Sequence, residues 1–272
     1  MFRHSLRFWI IMVVLLVLLS ACTGSGVTAT TSYQNDFQNT PEESPYKDVS
    51  HIENPNPSPY NDIPMSAEET IIRSIENVEE TVTVNGFSIE EANALFENVY
   101  YHHPEFFWLD GSSGYKSDGS SVKIKIGYNQ AVHDLDRYQA VFKTAVSNIL
   151  SVVGPWTDYD KALFLHDYLV ETTAYDETAA EYIETAETPR CPNMSNTAYG
   201  CLVDHTAICS GYSMAYQLLL RCEGIVSGPV LGGALQDSST THEWNYAVLD
   251  GNAYQIDVTW DDPVSSDGEP SE

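Results

Sequence analysis

An Asp-Gly pair at residues 250 and 251 is the feature that most limits what this chain can fold into. It lies between two runs rich in aromatic and β-branched residues, 241–248 and 253–260. Asp-Gly between such runs favours a β-hairpin with a two-residue turn, because both central residues of that turn need a positive φ. With Asp250 and Gly251 at the turn, Leu249 pairs with Asn252 and the pairing continues residue by residue along both strands.

This register predicts that His242 faces Thr259 and that Trp244 faces Asp257. His242 and Asp257 are then diagonal neighbours on one sheet face, about 7–8 Å apart at the backbone. An imidazole and a carboxylate can bridge that distance. The geometry depends on the turn, because a one-residue change in loop length would put the two side chains on opposite faces.

A second constrained stretch precedes the hairpin and is centred on Cys209. From Ser210 onward apolar residues recur at helical spacing, and Gly224 follows as the predicted stop. Cys209 then lies in the first turn, where unpaired N–H groups and the positive end of the helix dipole favour a thiolate. A lone cysteine is more often a small buried hydrophobe, so its partners decide its role. The order cysteine, histidine, carboxylate is that of a thiol triad.

Three motifs carry a family resemblance: Ala-Ile-Cys-Ser-Gly-Tyr at 207–212, His-Glu-Trp-Asn at 242–245 and Asp-Val-Thr-Trp-Asp-Asp-Pro at 257–263. Together they resemble the core of the bacterial transglutaminase-like superfamily, a branch of the papain-like fold. The resemblance covers roughly residues 155 to 263. It implies an α+β core in which the nucleophile helix packs on an antiparallel sheet. It also implies catalytic roles for Cys209, His242 and Asp257.

The activity implied by the resemblance is acyl transfer from an amide of a protein or peptide through a thioester, without a cofactor or metal. Hydrolysis and transamidation both remain open. We expect Trp244 and Trp260 to shield the site and bind substrate. Tyr199 and Gly200 are expected to contribute to substrate binding or to an oxyanion site, together with the Cys209 N–H.

The alternative function is a catalytically inert surface binding or structural module on the same fold. Members of the family usually continue for several strands beyond the Trp-Asp-Asp-Pro motif, whereas this sequence reaches Glu272 after a polar tail. An incomplete sheet would hold a triad poorly, and a misplacement of about 1 Å can cost about a hundredfold in rate.

Residues 1–21 form a predicted lipoprotein signal peptide. Basic residues precede an apolar run from Phe8 to Leu19, which is shorter than the roughly 20 residues that span a bilayer. Leu19-Ser20-Ala21-Cys22 resembles a bacterial lipobox, which implies cleavage before Cys22 and lipidation of its sulfur. The alternative is an ordinary signal peptide with an incidental cysteine. We therefore expect a chain anchored to the extracytoplasmic face of the cell membrane through Cys22.

Residues 22–65 are rich in Pro, Ser, Thr and Asn and predict a disordered spacer. Residues 66–154 predict a small α+β region without recognisable chemistry. It contains two helices with capping boxes at Ser66 and Ser88, a buried strand at 106–109, a half-exposed strand at 122–126 joined to it by a Gly- and Ser-rich turn, and a long helix at about 132–150.

The predicted core, residues 155–272, opens with a helix capped near Thr157, followed by a long loop at 175–205 that leads to Cys209 and is expected to line the cleft. Three histidine positions have ordinary explanations. His166 lies in an apolar helix stripe and is predicted to be a packed core residue, His205 an exposed loop residue, and His102-His103 a helix end rather than a metal site.

Charge and cysteine content limit the partners. The chain has 12 basic and 39 acidic residues, and loss of Arg3 and Arg7 with the signal peptide would leave 10 − 39 = −29. Such a charge repels nucleic acids and polyanions.

Of the cysteines other than Cys22 and Cys209, Cys191 and Cys201 could pair outside the cytoplasm, and Cys222 is predicted to be buried in the nucleophile helix. The sequence gives no indication of the oligomeric state.

Overall fold

The fold is taken from a computed structural model that describes residues 66–185, 191–234 and 237–261. The predicted signal peptide, the spacer with Cys22 and the tail from Asp262 onward lie outside these residues. In chain order the helices and strands are α1 (Ala67–Glu76), β1 (Thr81–Asn85), α2 (Ile89–His102), β2 (Leu109–Ser117), β3 (Ser121–Tyr128), α3 (Leu135–Leu150), α4 (Asp158–Thr172), β4 (Ala174–Tyr175), α5 (Glu177–Thr185), β5 (Thr206–Ala207), α6 (Cys209–Cys222), β6 (Ser227–Ala234), β7 (Asp237–Leu249) and β8 (Asn252–Ile256). This mixture of helices with two antiparallel three-stranded sheets and a short parallel pair, β4-β5, confirms the predicted α+β class.

The helix starts predicted from side-chain caps are confirmed. Ser66 and Ser88 each accept a hydrogen bond from the backbone N–H three residues later, and the glutamate at that position bonds back to the serine N–H. Thr157 caps α4 in the same way, by accepting from the Asp160 N–H. These caps satisfy N–H groups that a helix leaves unpaired at its start.

The strand predicted at 106–109 is wrong for all but its last residue. Phe106, Phe107 and Trp108 are buried in a turn, and β2 begins at Leu109 and runs through the Gly- and Ser-rich segment that was predicted to be a turn. Backbone pairing with β3 makes this polar segment a strand, with a register shift between Leu109 and Ser113. The sheet order is β1-β3-β2.

The long loop predicted at 175–205 is also wrong. It contains α5 and a π-helical turn at Gly200–Asp204. Asp176 explains both the helix start and the fold of the following segment. Its Oδ1 accepts from the Ala179 N–H at 2.9 Å, while its Oδ2 accepts from the Ser195 hydroxyl at 2.6 Å and from the Asn193 amide at 2.8 Å.

The predicted hairpin is confirmed. Asp250 and Gly251 have φ values of 51° and 80°, and β7 pairs with β8 from Leu249–Asn252 to Asn245–Ile256. Because β8 ends at Ile256, the predicted pairs Trp244–Asp257 and His242–Thr259 do not form; the chain turns over residues 258–261 instead. β6 completes the sheet on the other side of β7, in the order β6-β7-β8.

One hydrophobic core runs through the described residues and continues across the boundary predicted at 154–155. Helix α6 lies at its centre, with every residue from Gly211 to Leu220 buried. It packs on β7 and α4, so the position of its first residue is fixed by both. Within the described ranges, none of the helices combines the length and apolarity needed to cross a membrane.

Candidate active site

Cys209 is the first residue of α6 and is half-buried. The preceding residue, Ile208, occupies the N-cap position and provides no side-chain hydrogen bond to the helix. An apolar N-cap leaves the first-turn N–H groups for other acceptors. The thiol therefore lies at an uncapped, electropositive helix end.

The segment around Ser195 holds the start of α6 in place. The Ser195 carbonyl oxygen accepts a hydrogen bond from the Ile208 N–H at 2.9 Å. The same carbonyl oxygen would lie 2.2 Å from a Cβ at Gly211, which leaves no room for a side chain there. The glycine two residues after Cys209 thus permits a close approach of two backbone segments.

His242 lies on β7 and contacts both other members of the predicted triad. Its Nε2 is 2.7 Å from Asp257 Oδ2, and its side chain is hydrogen-bonded to that of Cys209. Since Asp257 engages Nε2, Nδ1 is the ring nitrogen that remains for the thiol. The contact between His242 and Asp257 expected from the hairpin is thus observed, but Asp257 lies one residue beyond the end of β8 and is not part of the paired register.

The surroundings of His242 favour its protonated form. Burial alone would lower its pKa, but the hydrogen bonds with Asp257 and Cys209 and the charges of both raise the pKa to about 9. An imidazolium between a carboxylate and a thiol is the charge arrangement that a thiolate nucleophile requires.

Both predicted tryptophans stack on the His242 ring. The centroid of Trp260 is 4.8 Å away at an interplanar angle of 12°, and that of Trp244 is 5.7 Å away at 24°. Trp244 is fixed by a 3.0 Å hydrogen bond from its Nε1 to Gln255 Oε1. Trp260 remains 59% exposed, which makes its outer face an apolar surface beside the His242 imidazole.

Two residues near the site were not singled out from the sequence. A Cβ at Gly232 of β6 would lie 2.5 Å from the Trp244 ring, so this glycine makes room for the tryptophan. Tyr175 lies at the end of β4, whose partner strand β5 leads into Cys209. Burial and then the nearby Cys209 raise the pKa of the Tyr175 phenol. The Gly-Gly pair at 232–233 was the available signal for Gly232, whereas the place of Tyr175 depends on the pairing of two two-residue strands.

Tyr199 and Gly200 lie in the core. The Tyr199 ring packs against Phe107 at 4.9 Å, Tyr138 at 5.2 Å and Phe142 at 6.0 Å. Gly200 begins the π-helical turn, and a Cβ there would lie 2.2 Å from the Met194 carbonyl oxygen. Their burial favours packing roles over contact with substrate, and the predicted oxyanion role stays a prediction.

His166 on α4 is buried, as predicted, but it is not surrounded by apolar groups alone. Its Nδ1 is 3.0 Å from Asp167 Oδ1 and its Nε2 is 3.2 Å from Asp261 Oδ2. Asp261, which belongs to the same motif as Asp257, therefore contacts a different histidine. His205 is exposed, in a left-handed conformation with φ of 56°.

The four cysteines in the described ranges are free thiols. Cys201 is buried against Thr173, while Cys191 contacts Asn193, so the Cys191–Cys201 pairing that the sequence left open is not formed. Cys222 is buried in α6, as predicted. Among the residues that the structure describes, no three His, Cys, Asp or Glu side chains are grouped to hold a metal ion.

Neither a family model nor a curated protein sequence matches the chain. Solved structures do. A crystal structure of a TGase is 14% identical, with a TM-score of 0.38 over 66% of this chain and 50% of that one. A candidate cysteine protease from Cytophaga hutchinsonii is 14% identical, with a TM-score of 0.33 over 58% of this chain and 64% of that one. A candidate protease from Parabacteroides distasonis is 12% identical, with a TM-score of 0.28 over 57% of this chain and 36% of that one. The chain spans half the length of the first of these proteins and less than two thirds of the second.

Proposed function

We propose that the protein is a cysteine acyltransferase or peptidase of the transglutaminase-like type, which cleaves an amide through a thioester on Cys209. The observation that carries the proposal is the single hydrogen-bonded chain Cys209–His242–Asp257 at the start of an uncapped helix. Both the order of the three groups and the charge on His242 suit a thiolate nucleophile activated by an imidazolium.

In the first half-reaction the Cys209 thiolate attacks the amide carbonyl carbon, and a C–S bond forms. The carbonyl oxygen becomes an oxyanion, which the Cys209 N–H at the helix start would bind. His242 gives the proton on Nδ1 to the leaving nitrogen, the C–N bond breaks, and the amine departs. Asp257 holds Nε2–H throughout, so that the acidic nitrogen faces the reaction.

In the second half-reaction His242, now neutral, accepts a proton from water or from an amine as it attacks the thioester. The C–S bond breaks, and the thiolate–imidazolium pair is restored. Water gives a carboxylic acid, whereas an amine gives a new amide. Trp260 covers one side of His242, and its exposed face would pack against an apolar part of the substrate.

Cys209→Ala tests the nucleophile. The variant should lose both cleavage of amide-containing peptides and incorporation of a labelled primary amine into protein. Cys191→Ala, which removes a half-buried thiol with its own partner, should retain wild-type rates. Amine incorporation without net cleavage assigns a transglutaminase, and cleavage alone assigns a peptidase. Undiminished activity of Cys209→Ala rules the proposal out.

We also propose that the protein acts at the extracytoplasmic membrane surface, anchored through lipidated Cys22. The support is the sequence of residues 1–22, which precede a polar spacer. Cell fractionation tests this: the wild type should partition with membranes, and Cys22→Ala with a substitute cleavage site should be released. Unprocessed wild-type protein in the cytoplasm would contradict it.

A further inference from the structure

The short segment Asp257–Asp261 carries both groups that orient His242. Asp257 uses its two carboxylate oxygens separately: Oδ2 bonds His242 Nε2 at 2.7 Å and Oδ1 accepts from the Trp260 N–H at 3.2 Å. Trp260 in turn stacks on the His242 ring. Any shift of this segment would therefore move the carboxylate and the aromatic face relative to the imidazole together.

The segment is outside the β-ladder. β8 ends at Ile256, and residues 258–261 form a turn. Its near end is held by Val258, which is 2% exposed. Its far end is held by Asp261, whose Oδ2 reaches His166 Nε2 across 95 residues of sequence.

His166 is suited to hold a carboxylate firmly. It is 6% exposed, and both ring nitrogens face carboxylate oxygens. An ionised carboxylate can only accept, so each nitrogen must donate and the ring must carry a positive charge. Burial alone would lower the pKa of His166, but the hydrogen bonds and charges of Asp167 and Asp261 raise it to about 9. Tyr216, which is also titratable, forms a T-shaped arrangement with this ring, with the ring centroids 6.3 Å apart.

The helix that carries His166 is fixed to the helix that carries Cys209. Tyr216 of α6 donates a 3.0 Å hydrogen bond to the Ala162 carbonyl of α4, and Lys161 of α4 forms a 2.9 Å ion pair with Glu223 at the end of α6. A continuous series of contacts therefore links Cys209 through α6 and α4 to Asp261. From Asp261 the segment leads back to Asp257, which contacts His242.

We infer that His166 and Asp261 form a clamp that ties the segment Asp257–Asp261 to α4 and so positions Asp257 and Trp260 on His242. Both are positioning residues, since their hydrogen bonds in the described residues join His166 to Asp167 and Asp261, while the side-chain partners of His242 are Asp257 and Cys209. The inference rests on the proposed function, because it concerns how the same imidazole is held. Asp167 also bonds this ring, at 3.0 Å against 3.2 Å for Asp261. Its side chain is 50% exposed, against 35% for Asp261, so solvent screens its charge more.

The test compares Asp261→Ala and Asp261→Asn with a control, Glu171→Gln. The control neutralises an exposed carboxylate on α4, the helix that carries His166. Two quantities are measured across pH 5–10: the iodoacetamide alkylation rate of the peptide that contains Cys209, and the NMR titration of the His242 imidazole. The amide oxygen of Asn can still accept from Nε2–H, whereas Ala removes the clamp altogether.

In Asp261→Ala the midpoint of the His242 titration should move to lower pH, because Asp257 and Trp260 hold the imidazolium less well. The pH at which the alkylation rate changes as the imidazolium loses its proton should move with it. The kcat for amide cleavage should fall by roughly ten- to a hundredfold, the cost of about an ångström of misplacement, with KM nearly unchanged. Asp261→Asn should recover part of the loss, and Glu171→Gln should match the wild type.

Three results are decisive. An unshifted His242 titration in Asp261→Ala overturns the clamp. A lower melting temperature of the variant would not rescue it, because loss of stability alone indicates a purely structural role for Asp261. A shifted titration together with a lost kcat supports it. A wild-type Cys209 that alkylates no faster than an ordinary cysteine would refute the proposed function, while the His242 titration would still report on the clamp.

Discussion

Two histidines, His242 and His166, are buried to a similar degree and have pKa values raised to about 9 by neighbouring acids. Each is hydrogen-bonded to a carboxylate of the same short segment, His242 to Asp257 and His166 to Asp261. They differ in what faces the second ring nitrogen. For His242 it is the Cys209 thiol, and for His166 it is the carboxylate of Asp167.

The difference shows that a raised histidine pKa does not by itself identify a catalytic base. A ring between two carboxylates has both protons engaged and no reacting partner, so its charge stabilises the fold. A ring between one carboxylate and a thiol can give its second proton away and take it back. The contacts of the ring, rather than its pKa, separate the two roles.

The largest expected effect is on activity when each histidine is replaced in turn by glutamine. His242→Gln should lower kcat/KM by roughly 10²–10⁴, the usual contribution of a general acid–base. His166→Gln should have a smaller effect, because it acts only through the position of Asp257 and Trp260. Steady-state kinetics with a peptide amide, on protein verified as folded by circular dichroism, gives the comparison. Equal losses in the two variants would remove the distinction.

The His242 contacts could be predicted because they depend on local chemistry. Asp250 and Gly251 accept the positive φ values of a two-residue turn, and that turn fixes the register of both strands. His242 and Asp257 are only 15 residues apart. Short-range geometry, set by the turn, therefore predicts the hydrogen bond between His242 and Asp257.

The His166 contacts could not be predicted, because they join distant parts of the chain. From its position in an apolar stripe His166 is expected to be a core residue, and nothing local indicates that Asp261, 95 residues later, would reach it. The prediction of a turn in the segment that forms β2 was wrong for a related reason. Its Gly- and Ser-rich sequence has low strand propensity, and only pairing with β3 makes it a strand.

The second prediction separates the two carboxylates by the pH dependence of kcat. Asp257→Asn keeps an acceptor for Nε2–H but removes the negative charge that raises the His242 pKa. Since loss of the imidazolium defines the alkaline limb, a lowered His242 pKa moves that limb to lower pH, and the rate at neutral pH should fall. Asp261→Asn, whose direct partner is His166, should move the limb less. A wild-type profile for Asp257→Asn together with an inactive Asp261→Asn would mean that the carboxylates have exchanged roles.

The two rings also differ in the aromatic groups that flank them. His242 lies face to face with Trp260, with an interplanar angle of 12° and ring centroids 4.8 Å apart, whereas His166 and Tyr216 are T-shaped, at 77° and 6.3 Å. The face of an indole is electron-rich and attracts a cation, and an indole does so more strongly than a phenol. The tryptophan should therefore favour the imidazolium form of His242 beyond the effect of Asp257.

The smallest expected effect comes from Trp260→Leu, with Trp156→Leu as its control. Trp156 is also partly exposed, at 42% against 59% for Trp260, but it packs on Phe164. A cation–π contact at an exposed site contributes about 0.5–1 kcal/mol. Since about 1.36 kcal/mol corresponds to one pKa unit, the His242 pKa in Trp260→Leu should fall by roughly half a unit. The alkaline limb of kcat should move down by the same amount, and Trp156→Leu should leave it in place. Because leucine still covers the ring, an unshifted limb with a raised KM would show that Trp260 binds substrate without stabilising the imidazolium, and the second contrast between the two histidines would fall.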